Sequence, residues 1–138
     1  MVFLTRREHF NGAHCLYNEN WSEAENKAVF GKCCNKNYHG HNFELFVTVK
    51  GSPNPDTGFV MNAHKLSHIM KIEVTDRLDH NNFNLDVPEF SDVLPSSENL
   101  VIQIWKWLEP HITECELHCI KLQETENIYV EYFGSKEK

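Results

Sequence analysis

The chain has 138 residues, 41% hydrophobic and 24% charged, with a formal charge of −7. That is one ordinary globular domain, residues 1–138, long enough to bury its own core. The acidic balance, with no basic stripe to offset it, argues against a nucleic-acid binder, and no apolar run approaches a membrane span.

The five cysteines are odd in number and include the adjacent Cys33-Cys34. That suits no disulfide framework and points to free thiols in a reducing cytoplasm. The N-terminus lacks the apolar segment of a signal peptide.

Residues 2–10 mix apolar and polar side chains and predict a first strand. Asn11-Gly12-Ala13-His14 then sets a histidine among small residues, where backbone can approach closely. From Tyr17 to Tyr38 the chain is polar. Ser22-Glu23-Ala24-Glu25 reads as a capping box opening a short helix through about Val29, which Gly31 breaks.

His39-Gly40-His41-Asn42 runs straight into the alternating Phe43-Glu44-Leu45-Phe46-Val47-Thr48-Val49. Residues two apart in a strand share a face, so His39 and His41 project together on the side that Phe43, Leu45, Val47 and Val49 bury. A Pro- and Gly-rich turn cluster covers 51–58. Phe59-Val60-Met61 predicts a resumed strand, hence a hairpin with a long loop.

Asn62 is placed to cap a helix over roughly 63–78, with Leu66, Ile69, Met70, Val74 and Leu78 at helical spacing. His64 and His68 lie four apart on it and read as a solvated face. Asp79-His80-Asn81-Asn82 follows the helix end. Ser96-Ser97-Glu98-Asn99 starts a second helix with Leu100, Val101, Ile104, Trp105 and Leu108 on its apolar side, and Pro110 ends it. Residues 117–124 and 128–133 read as the last two strands. Two strands, two helices and two strands predict an α+β fold with an antiparallel sheet.

The chemistry concentrates on a few side chains. Two imidazoles at the mouth of a core are half of a zinc site. His14 would be the third ligand, leaving one position open for a substrate oxygen. Cys33, separated from His39 by five residues, could act as a base, since a thiolate beside a cation has a lowered pKa. Asp79 and His80 would form a second proton-handling pair, or simply a polar loop.

Glu124 shares phase with Ile120 and Leu122. It is either a buried carboxylate awaiting N–H donors or an exposed turn residue. The set suits rearrangement or elimination beside a carbonyl or hydroxyl. A competing reading is a structural zinc closed by Cys33 or Cys34, although no Cys-x-x-Cys pair accompanies them. Cys15, Cys115 and Cys119 read as small, partly buried hydrophobes.

Several separated motifs, in order along nearly the whole chain, resemble the 6-pyruvoyl-tetrahydropterin synthase family. They are Phe10-Asn11-Gly12-Ala13-His14, Phe30-Gly31-Lys32-Cys33, His39-Gly40-His41-Asn42 and Gly58-Phe59-Val60-Met61-Asn62. Leu78-Asp79-His80-Asn81-Asn82, Asp86-Val87-Pro88, Ser97-Glu98-Asn99 and Glu124-Thr125-Glu126-Asn127 continue the series.

The resemblance implies the tunnelling fold: an antiparallel four-stranded sheet with two helices on one face, subunits joining into a barrel, a homohexamer built from two trimers. It implies a carbon–oxygen lyase that converts 7,8-dihydroneopterin triphosphate into 6-pyruvoyl-tetrahydropterin, on the route to tetrahydrobiopterin, by eliminating triphosphate. Zinc, one per subunit, and Mg²⁺ are the associated metals. Carried over, His14, His39 and His41 bind zinc and Cys33 abstracts the proton. Asp79 and His80 form the relay, Glu124 anchors the pterin, and Thr125 helps line its pocket.

The family often has serine and arginine around the first histidine, where this chain has Ala13 and Cys15. Lys32, Lys36 or Arg6 would therefore have to meet the triphosphate. The rival readings are 6-carboxy-tetrahydropterin synthase of queuosine biosynthesis and a non-catalytic pterin binder with structural zinc. The five-residue gap before His39 favours the pyruvoyl enzyme.

Overall fold

The computed structural model describes residues 1–135. Two long strands set the frame. β1 (Val2–His14) lies antiparallel to β2 (His39–Gly51), with Val2 opposite Gly51 and His14 opposite His39. The first strand thus continues past residue 10 and carries His14 on its last position. Between them α1 (Glu23–Phe30) is capped by Ser22, whose hydroxyl accepts the Glu25 N–H at 3.1 Å. Gly31, at φ +57°, ends that helix, and a 3₁₀ turn over Gly31–Cys34 leads toward β2.

Asn62 caps α2 (Ala63–Met70) by accepting the His64 and Lys65 N–H groups. A widened π turn, Lys71–Thr75, carries the chain into α3 (Asp76–Leu78), so the expected helix over 63–78 forms with one irregular turn inside it. Then come β3 (Asn81–Asn82) and the single turn α4 (Phe83–Asp86). Ser96 caps α5 (Ser97–Leu108), and β4 (Glu116–Thr125) and β5 (Ile128–Tyr132) close the chain.

The sheet has the order β3-β1-β2-β4-β5. It therefore holds five strands rather than the expected four. The fifth is β3, two asparagines paired parallel to Gly12 and Ala13, too short and too polar to show as an alternating pattern. The expected strand at Phe59–Met61 does not form. Both edges of β2 are already taken, by β1 and β4, so no place beside it exists for a hairpin partner. The segment closes on itself instead, with Asn54 N–H donating to the Phe59 carbonyl and Gly58 N–H to the Asn54 carbonyl.

The apolar phase of each strand faces the helices. Phe43, Leu45, Val47, Val49, Ile120 and Leu122 are fully buried against Leu66, Met70, Leu78, Leu100, Ile104 and Leu108. Burial of each such side chain contributes roughly 1.5–3 kcal/mol before entropy is counted. His64 and His68 are exposed, as their helix face required. The opposite face of the sheet is open, with Phe3, Tyr129 and Phe133 more than half exposed. Among the described residues no helix is long and apolar enough to cross a membrane.

One close approach positions the site. A Cβ at Gly12 would overlap the edge of the Phe83 ring, and Phe83 in turn packs 6.0 Å from the His14 ring. Gly12→Ala is therefore expected to destabilise the fold by about 1–3 kcal/mol through overpacking. Denaturant unfolding measures this, and Gly12→Ala combined with Phe83→Leu should recover part of the loss.

Candidate active site and metal centre

Strand register brings the three histidines together. His14 and His39 are paired residues at the ends of β1 and β2, and His41 sits two further along the same face. Tyr38, at φ +67°, turns the backbone immediately before His39. Ring centroids lie 4.5 Å apart for His14–His39, 4.9 Å for His39–His41 and 5.3 Å for His14–His41. Each offers one nitrogen, and these atoms lie within 4.8 Å of one another.

His14 is 1% exposed, and its Nδ1 lies 2.7 Å from the Pro95 carbonyl oxygen. A carbonyl only accepts, so Nδ1 carries the proton and Nε2 keeps a lone pair. That nitrogen faces Glu124 Oε1 at 3.6 Å, and His41 Nε2 faces the same oxygen at 3.7 Å. Burial, foremost, pushes His14 below the ordinary imidazole value of 6.5. Burial followed by the neighbouring His14 and His41 does the same for His39.

The lone pair of His14 Nε2 opposite a carboxylate oxygen is an acceptor opposite an acceptor. His14 Nε2, both nitrogens of His39 and His41 Nε2 are all buried without a hydrogen-bond partner in the protein. Orphaned buried polar nitrogens are costly. A divalent cation of borderline softness would take one lone pair from each ring, and three imidazoles fit zinc with a position to spare.

Glu124 sits at a bulge in β4 and is held from outside the sheet by Ser97, whose hydroxyl donates to Oε1 at 3.1 Å. Of the two readings left open for Glu124, the structure gives the inward one. The Ser97 hydroxyl and the Pro95 carbonyl were not assigned to the site from the sequence. Both belong to the approach to α5, far away in the chain, and the only hint was Pro95-Ser96-Ser97 itself.

A further support is Asn84, whose amide accepts the Cys15 N–H at 2.8 Å and donates to the Cys15 carbonyl at 3.0 Å. It fixes the backbone just after His14, where β1 has ended.

Cys33 lies on the 3₁₀ turn, partly buried, its carbonyl accepting the Leu16 N–H at 2.8 Å. The group of histidines that could hold a metal does not include its sulfur. Burial first, then Glu124 and Cys34, push its thiol above the ordinary 9.0. Lys32, next to it, is exposed. Thr125 Oγ1 accepts the Asn127 N–H at 3.2 Å and so shapes the β4–β5 turn.

Asp79 and His80 lie apart from this group, past α3 on the β3 side of β1. Asp79 Oδ2 is 2.9 Å from His80 Nδ1, while Asp79 Oδ1 accepts the Asn11 N–H at 2.9 Å. The Asn11 hydrogen bond, above the His80 contacts, holds the Asp79 carboxyl below its ordinary range. His80, at φ +62°, has 77% of its side chain exposed and looks into an open groove of about 570 Å³ beside Asn11, Asn42 and Asn82.

The electrostatics set a pH dependence for the metal-free protein. His14 and His39 have folded pKa values below 6.5, so the unfolded chain binds more protons in the window beneath that value. Stability is then expected to be fully present above about pH 6.5 and to fall as the pH drops through that window. Thermal unfolding of chelator-treated protein measures it. His39→Asn should flatten the slope.

The 6-pyruvoyl tetrahydropterin synthase family matches residues 3–135. The chain is 45% identical over 133 residues to the 6-pyruvoyl tetrahydrobiopterin synthase of Dictyostelium discoideum, covering 96% of each. It is 41% identical over 131 residues to that of Homo sapiens, covering 95% of this chain and 90% of the human one. The solved structure of Caenorhabditis elegans 6-pyruvoyl tetrahydropterin synthase superposes with a TM-score of 0.91 at 36% identity, covering 97% and 96% of the two chains. The histidine cluster, the strand register that builds it and these likenesses converge: the chain belongs to the 6-pyruvoyl tetrahydropterin synthase family, and it is an enzyme, a lyase.

Proposed function

We propose that the chain converts 7,8-dihydroneopterin triphosphate into 6-pyruvoyl-tetrahydropterin with loss of triphosphate, using zinc held by His14, His39 and His41. The carrying observation is the set of buried imidazole nitrogens of His14, His39 and His41 that have no hydrogen-bond partner in the protein, two of them facing Glu124. When bound there, zinc supplies a Lewis acid that polarises a substrate oxygen and makes neighbouring C–H protons easier to remove.

The protein's own groups divide the remaining work. The Pro95 carbonyl fixes the His14 tautomer and so aims Nε2 inward. Glu124, steadied by Ser97, accepts N–H groups of the pterin ring and fixes its orientation. Thr125 lines the adjoining wall, and the exposed Lys32 is offered as a cation for the phosphates. Mg²⁺ accompanies the triphosphate. Cys33 Sγ, outside the ligand group, takes the proton from the side-chain carbon.

Asp79 orients the His80 imidazole through Nδ1, leaving Nε2 to pass a proton. Among the described residues no hydrogen bond or ion pair joins that pair to Cys33. We take the chain to assemble as a homohexamer in the cytoplasm, the open sheet face with its exposed aromatics offering surface for assembly, and that assembly brings such pairs to the sites.

The thiol of Cys33 is raised in the metal-free protein, so it stays protonated at neutral pH and is a poor base. A cation beside it opposes the Glu124 charge. Zinc loading is therefore expected to move the midpoint of Cys33 alkylation to lower pH, followed peptide by peptide in a mass spectrometer. An unchanged midpoint removes Cys33 as the base.

Incubation of zinc-loaded protein with dihydroneopterin triphosphate should release inorganic triphosphate and the pyruvoyl product. A carboxy product with acetaldehyde would assign the queuosine-pathway reaction instead. Cys33→Ala should keep zinc and lose turnover by at least about 10²-fold, while His39→Ala loses both. Loss of zinc in Cys33→Ala would make the sulfur a ligand and the metal a structural one.

A further inference from the structure

The chain carries an excess of acid, yet its unengaged cations are not scattered. Among the described Lys and Arg residues, only Lys32, Lys36 and Lys106 have neither a carboxylate within ion-pair distance nor an aromatic ring beneath them. Lys106 lies on the exposed side of α5. The other two flank Cys33, one residue before it and three after.

Lys36 and Lys27 line a common cavity of about 460 Å³ with Tyr17, Glu23, Cys34 and Asn35. Lys27 is paired there with Glu23 at 3.6 Å, but both side chains are more than two-thirds exposed, and such pairs are weak enough for a multivalent anion to displace.

A short stretch of chain links the cavity to the histidine cluster. Tyr17 stands three residues beyond His14, about 10 Å at full extension, and Leu16 N–H binds the Cys33 carbonyl. That bond ties the end of β1 to the turn bearing Cys33 and Cys34. Arg6, the third cation that could have met a phosphate, is excluded. It lies eight residues back along β1, about 26 Å away in an extended strand, and is paired with Glu8 at 3.6 Å.

We propose that the cavity between Tyr17, Lys27 and Lys36 is an anion subsite that takes the polyphosphate arm of the substrate, with Lys32 at its rim. The inference rests on the substrate reading above and names the residues that replace a cation at position 15. Two lysines converging on one anion give strong, salt-sensitive binding.

The test uses zinc-loaded protein and magnesium tripolyphosphate as the probe, titrated by calorimetry at low and high salt, with zinc content checked before and after. Wild type should bind, more weakly in high salt. Lys27→Gln/Lys36→Gln should bind at least roughly tenfold more weakly and show a raised KM for the triphosphate substrate. Lys36→Arg should retain binding, and Lys106→Gln should match wild type.

Equal binding by wild type and the double variant, no binding by wild type, or the same loss in Lys106→Gln would overturn the inference. If wild type bound tripolyphosphate through these lysines but failed to turn over dihydroneopterin triphosphate, the anion subsite would stand and the proposed reaction would fall.

Discussion

A cluster of buried imidazole nitrogens without hydrogen-bond partners is the constraint around which this structure is built. His14 donates its one N–H to the Pro95 carbonyl, and the nitrogen left over looks at a carboxylate oxygen that His41 also faces. His39 contributes two more buried nitrogens with no partner. In an apolar setting such an arrangement loses free energy unless a cation or an incoming donor fills the gap. Burial also lowers the basicity of His14 and His39, so proton uptake is an unfavourable way to relieve it.

The rest of the fold serves that arrangement. Thirteen residue pairs of β1 and β2 set the register that puts His14 opposite His39 and Gly12 opposite His41. Gly12 leaves room for Phe83, which packs behind the His14 ring. The bulge in β4 turns Glu124 inward, and Ser97 at the first turn of α5 holds it. Asn84 pins the chain one residue past His14. Helices, sheet and loops therefore meet at the site, while Asp79 and His80 remain on the open side, fastened to Asn11 by side-chain and backbone bonds.

Much of this was legible in the residues because it is periodic or local. Alternation of two placed His39 and His41 on the buried face, and the caps at Ser22, Asn62 and Ser96 are each read from a few neighbouring residues. What was missed depends on neighbours remote in sequence. Phe59–Met61 has strand-forming residues, but β2 had already spent both edges on β1 and β4. β3 is two asparagines whose pairing is dictated by β1, and polar dipeptides carry no period. The roles of Pro95 and Ser97 exist only once α5 is folded against β4. Glu124 stood between two readings for the same reason: its strand phase pointed inward, while only the tertiary partner decided it.

The central claim is that the cation is held by imidazole nitrogens and that Cys33 stays off it. X-ray absorption at the zinc edge of the loaded protein tests this directly. The account predicts a shell of nitrogen and oxygen scatterers only, at about 2.0–2.1 Å. A sulfur scatterer near about 2.3 Å would contradict it.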